Sequence, residues 1–275
     1  MKTQRIYSKN AIYQKFDVLR RNRNKRYKYN EFFVEGVRNI NQAIANQWHI
    51  SSFLYTKERP LSDWANETLK TVHTDINYEL TAELMVDLSD KSDTSELIAI
   101  VKMREDNFQQ ISLSKNPFLV LFDRPSNKGN LGTIIRSCDA FGADGLIITG
   151  HAVDLYDPDV IVSSMGSFFK TPVIRISDNT KLEKFIQDIR LQYHDFKIVG
   201  TTAHKQHSIY DVDLTTPLML MIGNETEGLC RAYKEQCDVL ATIPMSDKSS
   251  ASSLNVACAA TVMFYETMHQ RSKTI

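Results

Sequence analysis

Phe118-Leu119-Val120-Leu121-Phe122-Asp123-Arg124-Pro125-Ser126-Asn127-Lys128-Gly129-Asn130-Leu131-Gly132-Thr133-Ile134-Ile135-Arg136 runs from five consecutive apolar residues into a polar loop and then into a helical pattern. An apolar run of five has the length of a strand buried on both faces, far short of the eighteen or more that a membrane span needs. The same texture recurs at 145–149 (GLIIT), 197–200 (KIVG), 218–222 (LMLMI) and 239–243 (VLATI). Helical patterns lie between these runs at 130–141, 180–192 and 253–270. Near-continuous apolar strands alternating with helices predict an α/β domain whose parallel sheet is covered on both faces. Ligands of such sheets bind beyond the carboxyl ends of the strands. The loops after residues 122, 222 and 243 therefore form the candidate site.

Upstream, 102–107 (KMREDN) and 112–117 (SLSKNP) are polar and lack a clear period, and a linker is expected at 105–117. It would join a domain at 1–104 to one at 118–275. Residues 31–102 alternate short elements: strand candidates at 32–34, 52–55 and 97–101, a helix bearing Val37, Ile40, Ala43 and Ile44, and helical patterns at 62–72 and 81–88. That is a second, smaller α/β module. The 275 residues are 42% hydrophobic and 24% charged, which excludes a disordered, collagenous or coiled-coil chain. No apolar h-region follows the basic start Met1-Lys2-Thr3-Gln4-Arg5, so no secretory signal is read and a cytoplasmic protein is expected. The four cysteines, Cys138, Cys230, Cys237 and Cys258, contain no CxxC pair. Reduced, mostly packed thiols and no metal site are expected.

Charge is balanced overall, with 33 basic and 33 acidic side chains, but residues 1–30 alone carry +9. The run Arg20-Arg21-Asn22-Arg23-Asn24-Lys25-Arg26-Tyr27-Lys28-Tyr29 interleaves cations with tyrosines. Guanidinium forks pair with phosphates and tyrosine rings stack on unpaired bases, so Arg20, Arg21, Arg23, Lys25 and Arg26 are candidate RNA contacts. The plainer alternative, a solvated helix face, would ordinarily mix both signs.

Each candidate loop also admits a plain reading. In the first, Asn130 is placed to cap the following helix, and Arg136, a turn and a half further on, would by position alone be a surface ion-pair residue. In the second, Gly223-Asn224-Glu225-Thr226-Glu227-Gly228-Leu229, the acidic pair suits a helix start. In the third, Pro244-Met245-Ser246-Asp247-Lys248-Ser249-Ser250-Ala251-Ser252-Ser253-Leu254-Asn255-Val256, the serines suit a flexible loop with Ser253 near a helix cap. Asn255 is harder to dismiss, because an amide at the start of an apolar helix needs a specific partner.

Taken together, in this order and spacing, the three loops resemble the motifs of the SpoU/TrmH branch of the SPOUT methyltransferases. The resemblance spans residues 118–271, and 15–101 are similar to the L30e-like RNA-binding domain these enzymes carry, around Phe33-Val34-Glu35-Gly36. The stretch from Met245 to Leu254 is about two residues longer than the family pattern. The resemblance implies a C-terminal parallel-sheet domain tied in a trefoil knot and a homodimer in which one subunit completes the other's site. It also implies methyl transfer from S-adenosylmethionine to a ribose 2′-hydroxyl of RNA. By the same resemblance Gly223, Ile243, Met245 and Leu254 would hold the cofactor with Thr201 or Thr202 nearby. Arg136 would sit at the target hydroxyl among Asn130, Glu225, Ser253 and Asn255. Ribosomal RNA, 23S above all, is favoured over transfer RNA, since a separate L30e-type domain suits a structured ribosomal loop.

Chemistry constrains the roles. Arginine is almost never neutral near pH 7, so Arg136 is expected to stay charged, clamp a phosphate and stabilise a developing alkoxide. Glu225 or a phosphate-bound water is then left to take the proton. Two other readings compete. A dinucleotide-dependent oxidoreductase would need GxGxxG, which Lys128-Gly129-Asn130-Leu131-Gly132 matches only in part. A non-catalytic RNA-binding or ribosome-assembly protein would have no need of Asn130, Arg136, Glu225 and Asn255 together.

Overall fold

The computed structural model describes residues 2–89, 93–204 and 207–273. The chain divides into two compact units, Met1–Glu105 with Asp154–Lys170, and Asp106–Val153 with Thr171–Ile275.

The first unit contains β1 (Thr3–Ile6), α1 (Ala11–Arg21), α2 (Arg23–Tyr29), β2 (Glu31–Glu35), α3 (Val37–Ala45), β3 (Ile50–Tyr55), α4 (Asp63–Thr71), β4 (Asn77–Leu80), α5 (Ala82–Leu88) and β5 (Leu97–Lys102). Its helices start where short polar side chains accept the first free amides: Asn10 before α1, Asn22 before α2, Ser62 before α4 and Thr81 before α5. The sheet order is β1-β4-β3-β5-β2, parallel from β1 to β3 and antiparallel at β5. Residues 31–35, 50–55 and 97–101 are buried throughout, although only 97–101 is an unbroken apolar run; Glu31, Glu35, Ser51 and Ser52 are buried polar residues.

The second unit is built from β6 (Phe118–Asp123), α6 (Lys128–Ala140) and β7 (Gly145–Thr149). The chain then leaves it through α7 (Pro158–Ser163), which belongs to the first unit. It resumes with β8 (Val173–Ile176), α8 (Asn179–Gln192), β9 (Lys197–Thr201), β10 (His207–Ser208), β11 (Leu218–Ile222), α9 (Arg231–Gln236), β12 (Val239–Thr242) and α10 (Val256–Ser272). All seven strands are parallel, in the order β10-β12-β9-β11-β6-β7-β8. Every residue of β6, β7 and β11 is buried. The parallel α/β architecture expected for this half is thus present. Because the strands run the same way, β6, β9, β11 and β12 all end at one edge of the sheet, and their loops gather there.

Two expected boundaries need correction. The stretch 105–117 is not a free linker: Ile111 is buried in the second unit's core with Leu119, Leu121 and Ile147, and Asp106 pairs with Arg175 of β8 at 2.7 Å. Nor is 118–275 continuous. Asp154–Lys170 joins the first unit, where Arg26, 1% exposed, donates to Asp154 at 2.7 Å and Asp157 at 3.0 Å. Phe168 and Phe169 pack there against Phe32 and Trp48.

Candidate active site

The loop after β11 closes on itself. Asn224 and Gly228 exchange backbone hydrogen bonds of 3.1 and 3.0 Å, and the Asn224 side chain accepts from the amides of Thr226 and Glu227. Gly223 makes this turn possible for a reason the sequence does not show. A Cβ there would lie 2.1 Å from the Leu229 nitrogen and 2.2 Å from the Gly228 carbonyl carbon. The close approach is therefore to the loop's own backbone, not only to a ligand. The turn also corrects the reading of Glu225 and Glu227 as helix-start residues, since α9 begins only at Arg231.

Glu225 instead reaches across to the loop after β6. Its carboxylate accepts from the Ser126 amide (3.0 Å) and hydroxyl (2.6 Å), the Asn127 amide (3.1 Å) and Asn130 Nδ2 (3.3 Å). Burial pushes its pKa up, but the hydrogen bonds from Ser126 and Asn130 outweigh burial and hold the group below the ordinary carboxylate value. A carboxylate with four donors and a lowered pKa is a poor proton acceptor. The geometry disfavours the base role expected of Glu225 and makes it an anchor for the β6–α6 loop.

Both expected caps shift by a few residues. Asn127, not Asn130, caps α6, its side chain accepting from the Asn130 amide at 2.9 Å. Asn255, not Ser253, caps α10, accepting from Ala257 and Cys258. Asn255 also donates to Asn130 Oδ1 at 3.1 Å, which is the partner its position demanded. Glu225, Asn130 and Asn255 thus form one chain of hydrogen bonds across three loops. Asn127 and Ser126 belong to it too, and nothing in the sequence singled them out except the cap rule, which cannot choose between asparagines three apart.

Beside this chain lies a cleft of about 360 Å³, within the range of small-molecule pockets. It is lined by Thr201, Thr202, Gly223, Ile243, Met245 and Leu254, every residue expected to hold a cofactor. Glu225 and Ser253 line it as well. Ile222, Val256, Ala260 and Met263 make much of its wall apolar. The serine-rich stretch makes its own turns, Ser249 donating to the Ser246 carbonyl at 2.8 Å and Ala251 to Ser249 Oγ at 3.1 Å. Arg136 does not line the cleft. It is exposed on α6 and has no hydrogen-bond or ion-pair partner among the described residues.

The basic segment divides. Arg26 is consumed by Asp154, Asp157 and the carbonyls of Leu19 and Arg20, and buried Arg20 donates to the Leu88 carbonyl at 3.0 Å and to Asp17. Neither can meet RNA, and Tyr27 donates its hydroxyl to Asp154. Arg21 and Arg23 remain exposed and Lys25 is half-buried. The cysteines are all free; Cys138 is fully buried, and burial pushes the Cys237 thiol up to about 12. Cys230 is half-buried and Cys258 is exposed, so the expectation of mostly packed thiols holds fully only for Cys138.

A doubly wound sheet whose turns meet at one edge around an apolar cleft is the frame of a nucleotide-type cofactor enzyme. Residues 117–265 match the SpoU rRNA Methylase family and residues 10–99 match its SpoU L30e-like domain, and the chain belongs to that family of methyltransferases. Among its relatives is the 23S rRNA (uridine(2479)-2′-O)-methyltransferase of Streptomyces viridochromogenes, 42% identical over 268 residues, which are 97% of this chain and 92% of that protein. The crystal structure of the SpoU methyltransferase AviRb from the same organism, in complex with the cofactor AdoMet, superposes with a TM-score of 0.90 at 42% identity. That match covers 96% of this chain and 98% of AviRb. The AdoMet-bound rRNA methyltransferase from Sinorhizobium meliloti gives a TM-score of 0.80 at 26% identity, covering 97% and 98% of the two chains.

Proposed function

We propose that this chain transfers a methyl group from S-adenosylmethionine to a ribose 2′-hydroxyl of structured RNA, with 23S ribosomal RNA as the substrate. The observation that carries the reading is the convergence of Gly223, Ile243 and Leu254 on one cleft whose neighbouring loops are joined through Glu225, Asn130 and Asn255. The lining fits the group. Apolar Ile222, Ile243 and Leu254 suit a flat purine and an alkyl chain, while Thr201, Thr202 and Ser253 offer hydroxyls to a ribose. When bound, this cofactor supplies an electrophilic methyl on a sulfonium that leaves as a neutral thioether.

The residues of the chain do the rest. The tied loops hold the donor cleft and the N-terminus of α6 in one arrangement, which supplies alignment, the largest need of a weak nucleophile such as a hydroxyl. Arg136, without a partner among the described residues, is available to grip the phosphate beside the target and to stabilise negative charge growing on the 2′-oxygen. The proton leaves to water, since the acceptor sites of Glu225 are already in use.

The same proposal includes a homodimer. Cys258, Val262, Tyr265 and Met268 recur at helical spacing on the exposed side of α10, with Tyr265 51% exposed beside Phe141 at the end of α6. An apolar stripe of this kind supports burial against a second copy. It includes also the family's knotted topology, supported by β11 lying between β6 and β9. The first unit would dock ribosomal RNA in the cytoplasm through Arg21, Arg23 and Lys25. Calorimetry tests the core of the reading: S-adenosylmethionine gives one binding event per chain and NAD gives none. Folded protein without heat from S-adenosylmethionine overturns it.

A further inference from the structure

Arg124 follows β6 directly and has a left-handed backbone, φ 50°, that a residue with a side chain rarely adopts. Several bonds hold it there. Its amide donates to the Thr149 carbonyl at 3.1 Å, and its own carbonyl accepts from Asn224 Nδ2 at 2.7 Å. Its guanidinium forks onto Asp123, with Nε and Nη2 at 3.1 and 3.0 Å from the two oxygens. Nη2 also reaches the Gly228 carbonyl at 3.2 Å, and Nη1 donates to Glu227. Asp123 is 2% exposed and is fixed in turn by Thr149 Oγ1 at 3.2 Å and the Cys230 amide at 2.9 Å.

One residue therefore holds the β11–α9 turn at both ends, Asn224 through its carbonyl and Glu227 and Gly228 through its guanidinium. Exposed ion pairs are worth little by themselves, and the Glu227 leg alone would be of that kind. The others differ, because a buried carboxylate and a backbone carbonyl are fixed partners. A lysine, with a single ammonium, cannot serve all of them at once.

We propose that Arg124 is a positioning residue for the methyl donor. It sets the Asn224–Gly228 turn, one wall of the cleft, against the Ser126–Asn130 turn to which Glu225 is bonded. It does so without lining the cleft itself. The inference rests on the reading of that cleft as the S-adenosylmethionine site.

The test measures S-adenosylmethionine binding by calorimetry, the two KM values and thermal midpoints for Arg124→Ala, Arg124→Lys and Glu227→Gln. Arg124→Ala is expected to raise the donor Kd by about tenfold, the effect of a small displacement of binding groups. The KM for RNA should change less than about twofold. Arg124→Lys should recover only part of the loss, and Glu227→Gln should cost about two- to threefold, as for one exposed charge contact. In the double variant with Glu225→Gln the losses should fall short of additive, since both act through one turn. A donor Kd unchanged in Arg124→Ala overturns the inference. So does an equal rise in both KM values that tracks the thermal midpoint, which is the mark of general loosening. Should Arg124→Ala not fold, unchanged donor binding in both Arg124→Lys and Glu227→Gln overturns it as well. Wild-type protein that does not bind S-adenosylmethionine overturns the underlying reading of the cleft instead.

Discussion

Glu225 accepts four hydrogen bonds from Ser126 and Asn127 of the β6–α6 loop and Asn130 in the first turn of α6, and that use of its oxygens defines what it can do. Its pKa is lowered in the folded protein, so its stabilising effect is complete above its unfolded value and is lost as the pH falls through the folded value. The account therefore expects S-adenosylmethionine affinity to be flat across neutral pH and to decline only below the ordinary carboxylate range. Titration of the binding constant against pH, with Glu225→Gln for comparison, checks this. The variant should bind weakly at every pH and show less of the acid decline. A Glu225→Gln enzyme with normal donor binding and lost turnover would restore the base role instead. Arg136 gives the complementary case. It is exposed and has no partner among the described residues, so Arg136→Ala should leave donor affinity unchanged and slow single-turnover methyl transfer by about 10²–10³-fold, as for loss of one preorganised donor to a developing oxyanion.

Helix caps and one buried cation tie the elements together. Asn255→Ala removes the α10 cap and the link to Asn130, and should destabilise the second unit by about 1 kcal/mol in denaturant titrations. Arg26→Ala is expected to cost about 3–5 kcal/mol, because Asp154 and Asp157 would remain buried without their cation. The triple replacement Arg26→Met, Asp154→Asn, Asp157→Asn should recover much of that loss, and equal losses in the two variants would contradict the account. Arg26 also shows where sequence reasoning stops. Its partners lie 128 and 131 residues away, so nothing near it separates a buried guanidinium from the exposed ones at Arg21 and Arg23. The strands buried on both faces, such as β6 and β11, were legible because their surroundings demand unbroken apolar runs. β8 was not, since Arg175 interrupts it and is paired with Asp106. The cofactor-side residues were legible through the family resemblance; Gly223 and Ile243 directly follow β11 and β12, and a parallel sheet gathers such loops at one edge.

Charge and apolar surface govern what the folded protein meets. With Arg20 and Arg26 internal, reversal of Arg21, Arg23 and Lys25 should weaken RNA binding and flatten the dependence of log K on log salt by up to about three contacts, while the same reversal leaves donor binding unchanged. An unaltered slope would remove the N-terminal segment from the RNA interface. The apolar side of α10 belongs to the proposed dimer: Tyr265→Glu should shift the species seen by sedimentation from two copies to one and abolish transfer with the fold intact. A monomeric wild type with full activity would contradict that arrangement. The most direct test is the chemical product itself. Purified protein, S-adenosylmethionine and 23S ribosomal RNA are incubated, and the modified nucleotide is identified by mass spectrometry. The account predicts a methyl group on a ribose 2′-oxygen at a defined site, formed about 10²–10³-fold more slowly with Arg136→Ala; a methyl group on a base, or no methylation by folded wild-type protein that binds the donor, would contradict it.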